Sequence, residues 1–284
     1  MMPVRCGAMG VAEVKHPLPL SIAIICKDNA RTIGRTLDSI RGLASEIIAL
    51  DSGSTDSTIE MLRAAGADVR HQTWLGHVRQ KQAALEACTQ PWILSLDSDE
   101  SLEPDLRRSI IDAVTADDPA VAGYEMNRKV WYAGRFLDHA WQPEWRLRLV
   151  RRGRARWGGY DPHDKLDLAP GASGRIARLT GTLRHDSIIT MRAFLARQAS
   201  HAELAARGYI GMGRRGSAMQ IITSPAGALL KQLVLRGAWR DGWRGWAASG
   251  ATAAAALMKH IILLEQSNNG EEKPWAMLCA GFPG

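Results

Sequence analysis

Two carboxylates one residue apart, Asp97 and Asp99, follow the almost wholly apolar run Trp92–Leu96. A buried strand ending in Asp97-Ser98-Asp99 can bring both side chains into one site. A magnesium- or manganese-like cation takes carboxylate oxygens together with phosphate oxygens. Such an ion neutralises a diphosphate as its bond to carbon breaks. The competing reading is an acidic cap ahead of the helix that Pro104 opens. Asp51 ends a second apolar run, Glu46–Leu50, and could accept hydrogen bonds from a base or a ribose. The residues after it, Gly53 to Asp56, read as a turn and a helix cap, which leaves Asp51 for chemistry. A third polar cluster, Lys27-Asp28-Asn29, follows the run Leu20–Cys26.

The elements that must hold these clusters alternate along the chain. Leu20–Cys26 is apolar and β-branched, as strands buried on both faces are. Ala30–Leu43 places Ile33, Leu37, Ile40 and Leu43 at helical spacing. Ser57 with Glu60 has the spacing of a capping box, and Gly66 closes the helix it opens. Asp68–His71, Gly76–Cys88 and Pro91–Leu96 continue as strand, helix and strand. This alternation predicts a parallel sheet with crossover helices. In such sheets ligands sit beyond the carboxyl ends of the strands, where all three clusters lie.

The second half is less regular. Val121–Asn127 reads as a strand. Trp145–Val150 reads as a half-buried strand, with Trp145, Leu147 and Leu149 on one face and Arg146 and Arg148 on the other. Gly153–Gly174 reads as a loop, and the chain turns helical from His185 to about Glu265. Arg146, Arg148, Arg151 and Arg152 are either phosphate partners or a solvated face. Gly211–Gly216 spells GxGxxG, but between helices, so it predicts a linker and no dinucleotide site.

The composition, 46% hydrophobic and 23% charged over 284 residues, supports a sizeable core. A net charge of +7 suits partners that carry phosphate. The arginines are spread over different elements with no recognition module, which argues against nucleic acid. Cys6, Cys26, Cys88 and Cys279 form no CxxC pair and read as reduced thiols of a cytosolic protein. No uninterrupted apolar span reaches the ~20 residues of a membrane helix, since Lys259-His260 break Ala247–Leu264. Leu233–Trp246 reads as a basic amphipathic helix, with Trp239, Trp243 and Trp246 offset from Arg236, Arg240 and Arg244. That form either lies on an anionic membrane surface or packs its Trp face on the catalytic domain.

Cys26-Lys27-Asp28-Asn29, then Asp51 to Thr58 (D-x-G-S-T-D-x-T), then Asp97 to Asp99, resemble in order the family 2 glycosyltransferases of the GT-A fold, over roughly residues 20–115. The resemblance implies an α/β, Rossmann-like, mostly parallel sheet flanked by helices, with a helical C-terminal extension. By it Asp51 contacts the base of a UDP-sugar donor, Asp97 faces the ribose and Asp99 binds Mg2+ or Mn2+. Cys26 and Asp28 line the base pocket, where many members carry Pro and Tyr. Lys81 contacts the diphosphate. The reaction needs a carboxylate base, and the second half offers Asp164 first and Glu144 next.

The stretch from Trp141 to Leu149, with His163-Asp164, resembles the subgroup of lipopolysaccharide core β-1,4-glucosyltransferases. There His163 is a further metal ligand or hydrogen-bond partner, and His185-Asp186 recurs. What this implies is inverting, metal-dependent transfer of a hexose, glucose from UDP-glucose, to an inner-core heptose or similar glycolipid. The enzyme would be cytoplasmic and peripheral on the inner face of the cytoplasmic membrane. The alternatives are transfer to polyprenyl phosphate and a non-catalytic nucleotide-binding membrane scaffold. The expected layout is a loose leader over 1–18, a nucleotide-sugar transferase domain over 19–190, an amphipathic helical extension over 191–266 and a loose tail over 267–284.

Overall fold

The computed structural model describes residues 16–160 and 163–268, so the expected leader and tail fall almost wholly outside the described residues. The chain divides into two compact units at Ile189/Thr190. The first unit opens with β1 (Leu18–Cys26), α1 (Ala30–Ile40), β2 (Ala44–Asp51), α2 (Thr58–Ala64), β3 (Asp68–His71), α3 (His77–Ala87) and β4 (Trp92–Asp97). The strands pair in parallel in the order β3-β2-β1-β4, as strands joined by crossover helices do. The apolar runs explain the choice: Leu20, Ile22 and Ile24 on β1 and Leu94 on β4 are fully buried. α1 stops at Ile40 because Gly42 turns the chain at φ +65°. The capping box at Ser57 and Glu60 does not form. The Ser57 hydroxyl meets the Met61 sulfur, and Asp56 takes the Thr58 amide instead.

The chain then crosses to the far edge through β5 (Glu100–Leu102) and α4 (Pro104–Ala116). It returns through β6 (Val121–Tyr132), β7 (Arg135–Phe136), β8 (Trp145–Arg151), β9 (Ala155–Tyr160), β10 (His163–Leu168) and β11 (Arg175–His185). The main sheet is mixed, in the order β3-β2-β1-β4-β8-β6-β11-β5, with β7 on β6. β8 sits between β4 and β6, antiparallel to both. A central strand is covered on both faces, so β8 is not the half-buried strand its alternation predicts, and Arg148 is as buried as Leu147. The expected loop Gly153–Gly174 instead contains the hairpin of β9 and β10. Trp157 and Leu166 pair across it and fill a core with Val150 and Leu85.

The second unit holds α5 (Met191–Gly211), α6 (Ala218–Leu230) and α7 (Trp243–Asn268), with α5 and α6 both packed against α7. Leu233–Trp246 is not one helix. Gly237 and Gly242 take positive φ (69° and 62°) and break it into a π-turn over Lys231–Leu235, a 3-10 turn over Ala238–Asp241 and the first turn of α7. α7 has 26 residues and is long and apolar enough by composition to cross a membrane, although Lys259 and His260 interrupt its apolar run.

Candidate active site

Strand register sets the site. Cys26 at the end of β1 lies opposite Asp51 of β2, and Ile25 opposite Asp97 of β4. The three polar clusters therefore share one edge of the sheet. The first two are laced together. Asp28, in a left-handed conformation (φ 51°), accepts the Thr55 amide at 2.7 Å and gives its own amide to Ser54. Asp56 accepts the Ala30 amide at the start of α1 at 3.0 Å. Asp51 is not left over by its turn. Its carboxylate accepts the Gly53 and Ser54 amides at 2.8 and 3.0 Å and the Ser54 hydroxyl. Burial raises its pKa, but these donors outweigh burial and hold it below the usual range. The Cys26 thiol, buried beside Asp51, is pushed up to about 12. Cys26 and Cys88 are both free thiols.

The third cluster separates two kinds of carboxylate. Asp97 is surrounded by cations. Lys81 Nζ lies 2.6 Å from its Oδ1, Arg148 3.0 Å and Arg128 3.9 Å from its Oδ2. Burial opposes its ionisation, yet Lys81 and Arg148 more than offset that and hold it well below the usual carboxylate range. Glu100, fully buried on β5, accepts from Arg128 at 3.0 Å, from Arg148 at 2.7 Å and from the Asp97 amide. Asp99 forms no ion pair with Lys or Arg among the described residues, and Arg128 acts on it only through space. Its side-chain neighbour is His185 Nε2, 3.4 Å from Oδ2, at the end of β11. The Asp186 amide, bonded to the Asp99 carbonyl at 2.9 Å, fixes that approach. Burial raises the Asp99 pKa, and His185 outweighs it, for a net lowering.

The two expected bases differ as well. Asp164, on β10, bonds Lys81 at 2.8 Å, so one ammonium bridges it to Asp97. Lys81 is almost buried, 4.7 Å above the Trp157 ring, and both its carboxylate contacts lie within the protein. Glu144 is clasped by Arg128 at 2.7 Å and Arg146 at 2.6 Å. Burial raises its pKa, but the two guanidinium groups bring it down to about 2. A carboxylate that acidic is a weak proton acceptor near neutral pH, and its contacts make Glu144 an anchor for Arg128. The side chain of His163 lies outside the described residues.

Glu100 and Arg128 were not among the residues singled out from sequence, and His185 was weighed without a role. Glu100 stands directly after the acidic triplet, which was the one signal for it. Arg128 and His185 arrive from β6 and β11, whose pairing no local spacing announces. Among the described residues no three His, Cys, Asp or Glu side chains form a metal-binding group. Asp99 and His185 nevertheless fit a cation. Among the described residues no Lys or Arg forms an ion pair with Asp99, although Arg128 acts on it through space, and diphosphate oxygens and water could complete a cation's shell.

Comparison with known proteins identifies the family. The family model described as glycosyl transferase family 2 matches residues 21–167. The lipopolysaccharide core biosynthesis glycosyltransferase LpsC of Rhizobium meliloti (strain 1021) is 32% identical over 263 residues, 86% of this chain and 94% of that one. Two solved structures overlap more loosely. S. aureus TarS 1-349 has TM-score 0.44 at 13% identity, over 90% of this chain and 93% of that one. Glucosyl-3-phosphoglycerate synthase from Mycobacterium tuberculosis, in complex with Mn2+, UDP and glucosyl-3-phosphoglycerate, has TM-score 0.32 at 24% identity, over 41% of this chain and 45% of that one. The family match spans over half the chain and LpsC almost its whole length: the chain belongs to glycosyl transferase family 2, has the mixed, helix-flanked sheet of its GT-A fold, and is a glycosyltransferase.

Proposed function

We propose that this enzyme transfers a hexose, glucose from UDP-glucose, with inversion, to a heptose of the lipopolysaccharide inner core or a similar glycolipid at the inner face of the cytoplasmic membrane. The observation that carries the chemistry is the division at the end of β4. Asp97 is paired with Lys81, Arg148 and Arg128, whereas among the described residues Asp99 pairs with His185 and no Lys or Arg. Asp99 and His185 would hold Mg2+ or Mn2+, which neutralises the diphosphate as it leaves. The loops carrying Cys26, Asp28 and Asp51 line the base pocket, and their mutual hydrogen bonds keep it preformed. Asp97 faces the ribose. The name and reach of LpsC support the acceptor class.

In the reaction the acceptor hydroxyl oxygen attacks the anomeric carbon as the bond to the diphosphate oxygen breaks, and the electron pair leaves with UDP. The hydroxyl proton passes to the Asp164 carboxylate. Lys81, which bonds both Asp164 and Asp97, orients that carboxylate. Family membership removes the scaffold alternative. The test is a screen of nucleotide sugars for metal-dependent UDP release, with heptose-bearing and polyprenyl phosphate acceptors in parallel. UDP release from UDP-glucose with the heptose acceptor supports the reading. Release only with the polyprenyl phosphate overturns the acceptor, and none from any UDP-sugar overturns the donor.

A further inference from the structure

The helical unit carries a surface that the reaction does not use. Of the seventeen large apolar side chains exposed among the described residues, fourteen fall in this unit. α6 has an apolar sequence, yet none of its residues is buried, and Met219 and Ile222 are 66% and 71% exposed. The exposure peaks where the two glycines break the chain: Leu235 is 78% exposed, and Trp239, Trp243 and Trp246 are each more than half exposed. The turns involved pack on one another and on α6 and α7, so they form one corner of the unit. A continuous exposed apolar surface on this scale marks an interaction site.

Charge identifies the occupant. From Thr190 to Asn268 there are ten Lys and Arg against three Asp and Glu, a surplus equal to the +7 of the whole chain. Elsewhere acids and bases cancel. A second copy of a surface this basic would be repelled, whereas an anionic bilayer attracts it. Arg240 and Arg244 lie over the rings of Trp239 and Trp243, at 5.5 and 4.8 Å. Trp and Arg with an apolar body and a polar tip settle at the headgroup boundary. α7 is a poor candidate to cross, despite its length. It is the hub on which α5 and α6 pack, and α5 carries Arg192, Arg197, Glu203 and Arg207. Inserting the bundle would take those charges into hydrocarbon.

We propose that the corner formed by Leu230, Val234, Leu235, Trp239, Trp243 and Trp246 inserts into the surface of an anionic lipid bilayer without crossing it. The proposal rests on the glycolipid-acceptor reading for its purpose and on the helical unit alone for its physics. The test uses the full chain and vesicles of phosphatidylcholine, with or without phosphatidylglycerol, and no acceptor. Co-flotation with the anionic vesicles is expected and co-flotation with the neutral ones is not. W239Q/W243Q/W246Q and, separately, R236Q/R240Q/R244Q should each weaken it by at least about tenfold, with circular dichroism confirming that both variants fold. Alkaline carbonate should strip the bound protein from vesicles.

Resistance to carbonate would overturn the proposal in favour of a spanning α7. A dimer in sedimentation that the Trp variant dissociates, with no flotation, would overturn it in favour of self-association. Transfer to a detergent-dispersed acceptor without vesicle binding would sink the docking surface and leave the acceptor reading intact. Vesicle binding without transfer to any glycolipid would do the reverse.

Discussion

Replacing Glu144 by Gln separates anchoring from catalysis. The native carboxylate titrates at about 2 against an ordinary 4.5, because Arg128 and Arg146 outweigh the cost of its burial. At about 1.4 kcal/mol per pH unit that difference has a ceiling near 3 kcal/mol. The side chain is 23% exposed, so solvent screening brings the expected loss to about 2 kcal/mol. For a chain of this size that lowers the melting temperature by roughly 4–8 °C. The sign follows from the depressed pKa. The stabilisation is complete above the unfolded value of 4.5 and is lost as pH falls towards 2. The gap between wild type and Glu144→Gln should therefore be constant above about pH 5 and shrink to less than half by about pH 3. Thermal unfolding followed by circular dichroism across that range reads it. Turnover should fall by less than about tenfold, because Gln can still accept from Arg128. Equal melting temperatures at neutral pH, or a gap that persists undiminished at low pH, would refute the claim that the two arginines hold this carboxylate. A collapse of turnover as deep as that of an Asp164 variant would restore Glu144 as base.

Asp164→Asn should cut turnover with acceptor by about 10²–10⁴-fold and leave donor affinity, read by calorimetry, within about threefold, since the amide still accepts from Lys81. His185→Ala and Asp99→Asn should each weaken binding of Mn2+ in the presence of UDP by at least about tenfold, read as loss of metal-dependent heat in a titration; unchanged metal affinity in both would remove the pair from the cation site. Gly181→Ala should cost more than about 3 kcal/mol of stability. Gly181 sits at φ +97°, and a methyl there would stand 2.3 Å from the Leu106 amide of α4. A melting temperature within about 2 °C of wild type would contradict the packing of β11 on that helix.

The parallel half of the sheet was legible because each element announces itself locally. β1 and β4 are apolar runs of strand length, and α1 repeats at helical spacing. The end of the first unit was not, because its cues are mixed. In β9, Ala155 and Trp157 alternate with Arg156 and two glycines, so two residues carry the whole apolar signal. Glycines and a Pro around them read as loop chemistry, and only pairing with Leu166 on β10 and packing under α3 resolve it. β8 failed in the other direction. Its alternation is real, but both faces are covered, so Arg148 is buried against Asp97 and Glu100 instead of facing solvent.

The site divides along the same line. Positions at strand ends could be read, since a carboxylate after a buried run falls at the sheet edge whichever way the rest folds. Partnership could not. Asp97 and Asp99 are equivalent in sequence, two aspartates flanking a serine. What distinguishes them comes from α3, β6, β8 and β11, whose residues stand between sixteen and eighty-six positions away. Lys81 and Arg148 consume one carboxylate, and β11 delivers a lone imidazole to the other. Had Arg148 followed the half-exposed face its strand suggested, Asp97 and Glu100 would have kept only Lys81 and Arg128. Those two cations are also shared with Asp164 and Glu144, so the buried negative charge would then exceed what they offset. The burial of β8, which its alternation did not announce, thus supplies the guanidinium that pairs with both Asp97 and Glu100, while Asp99 pairs with His185.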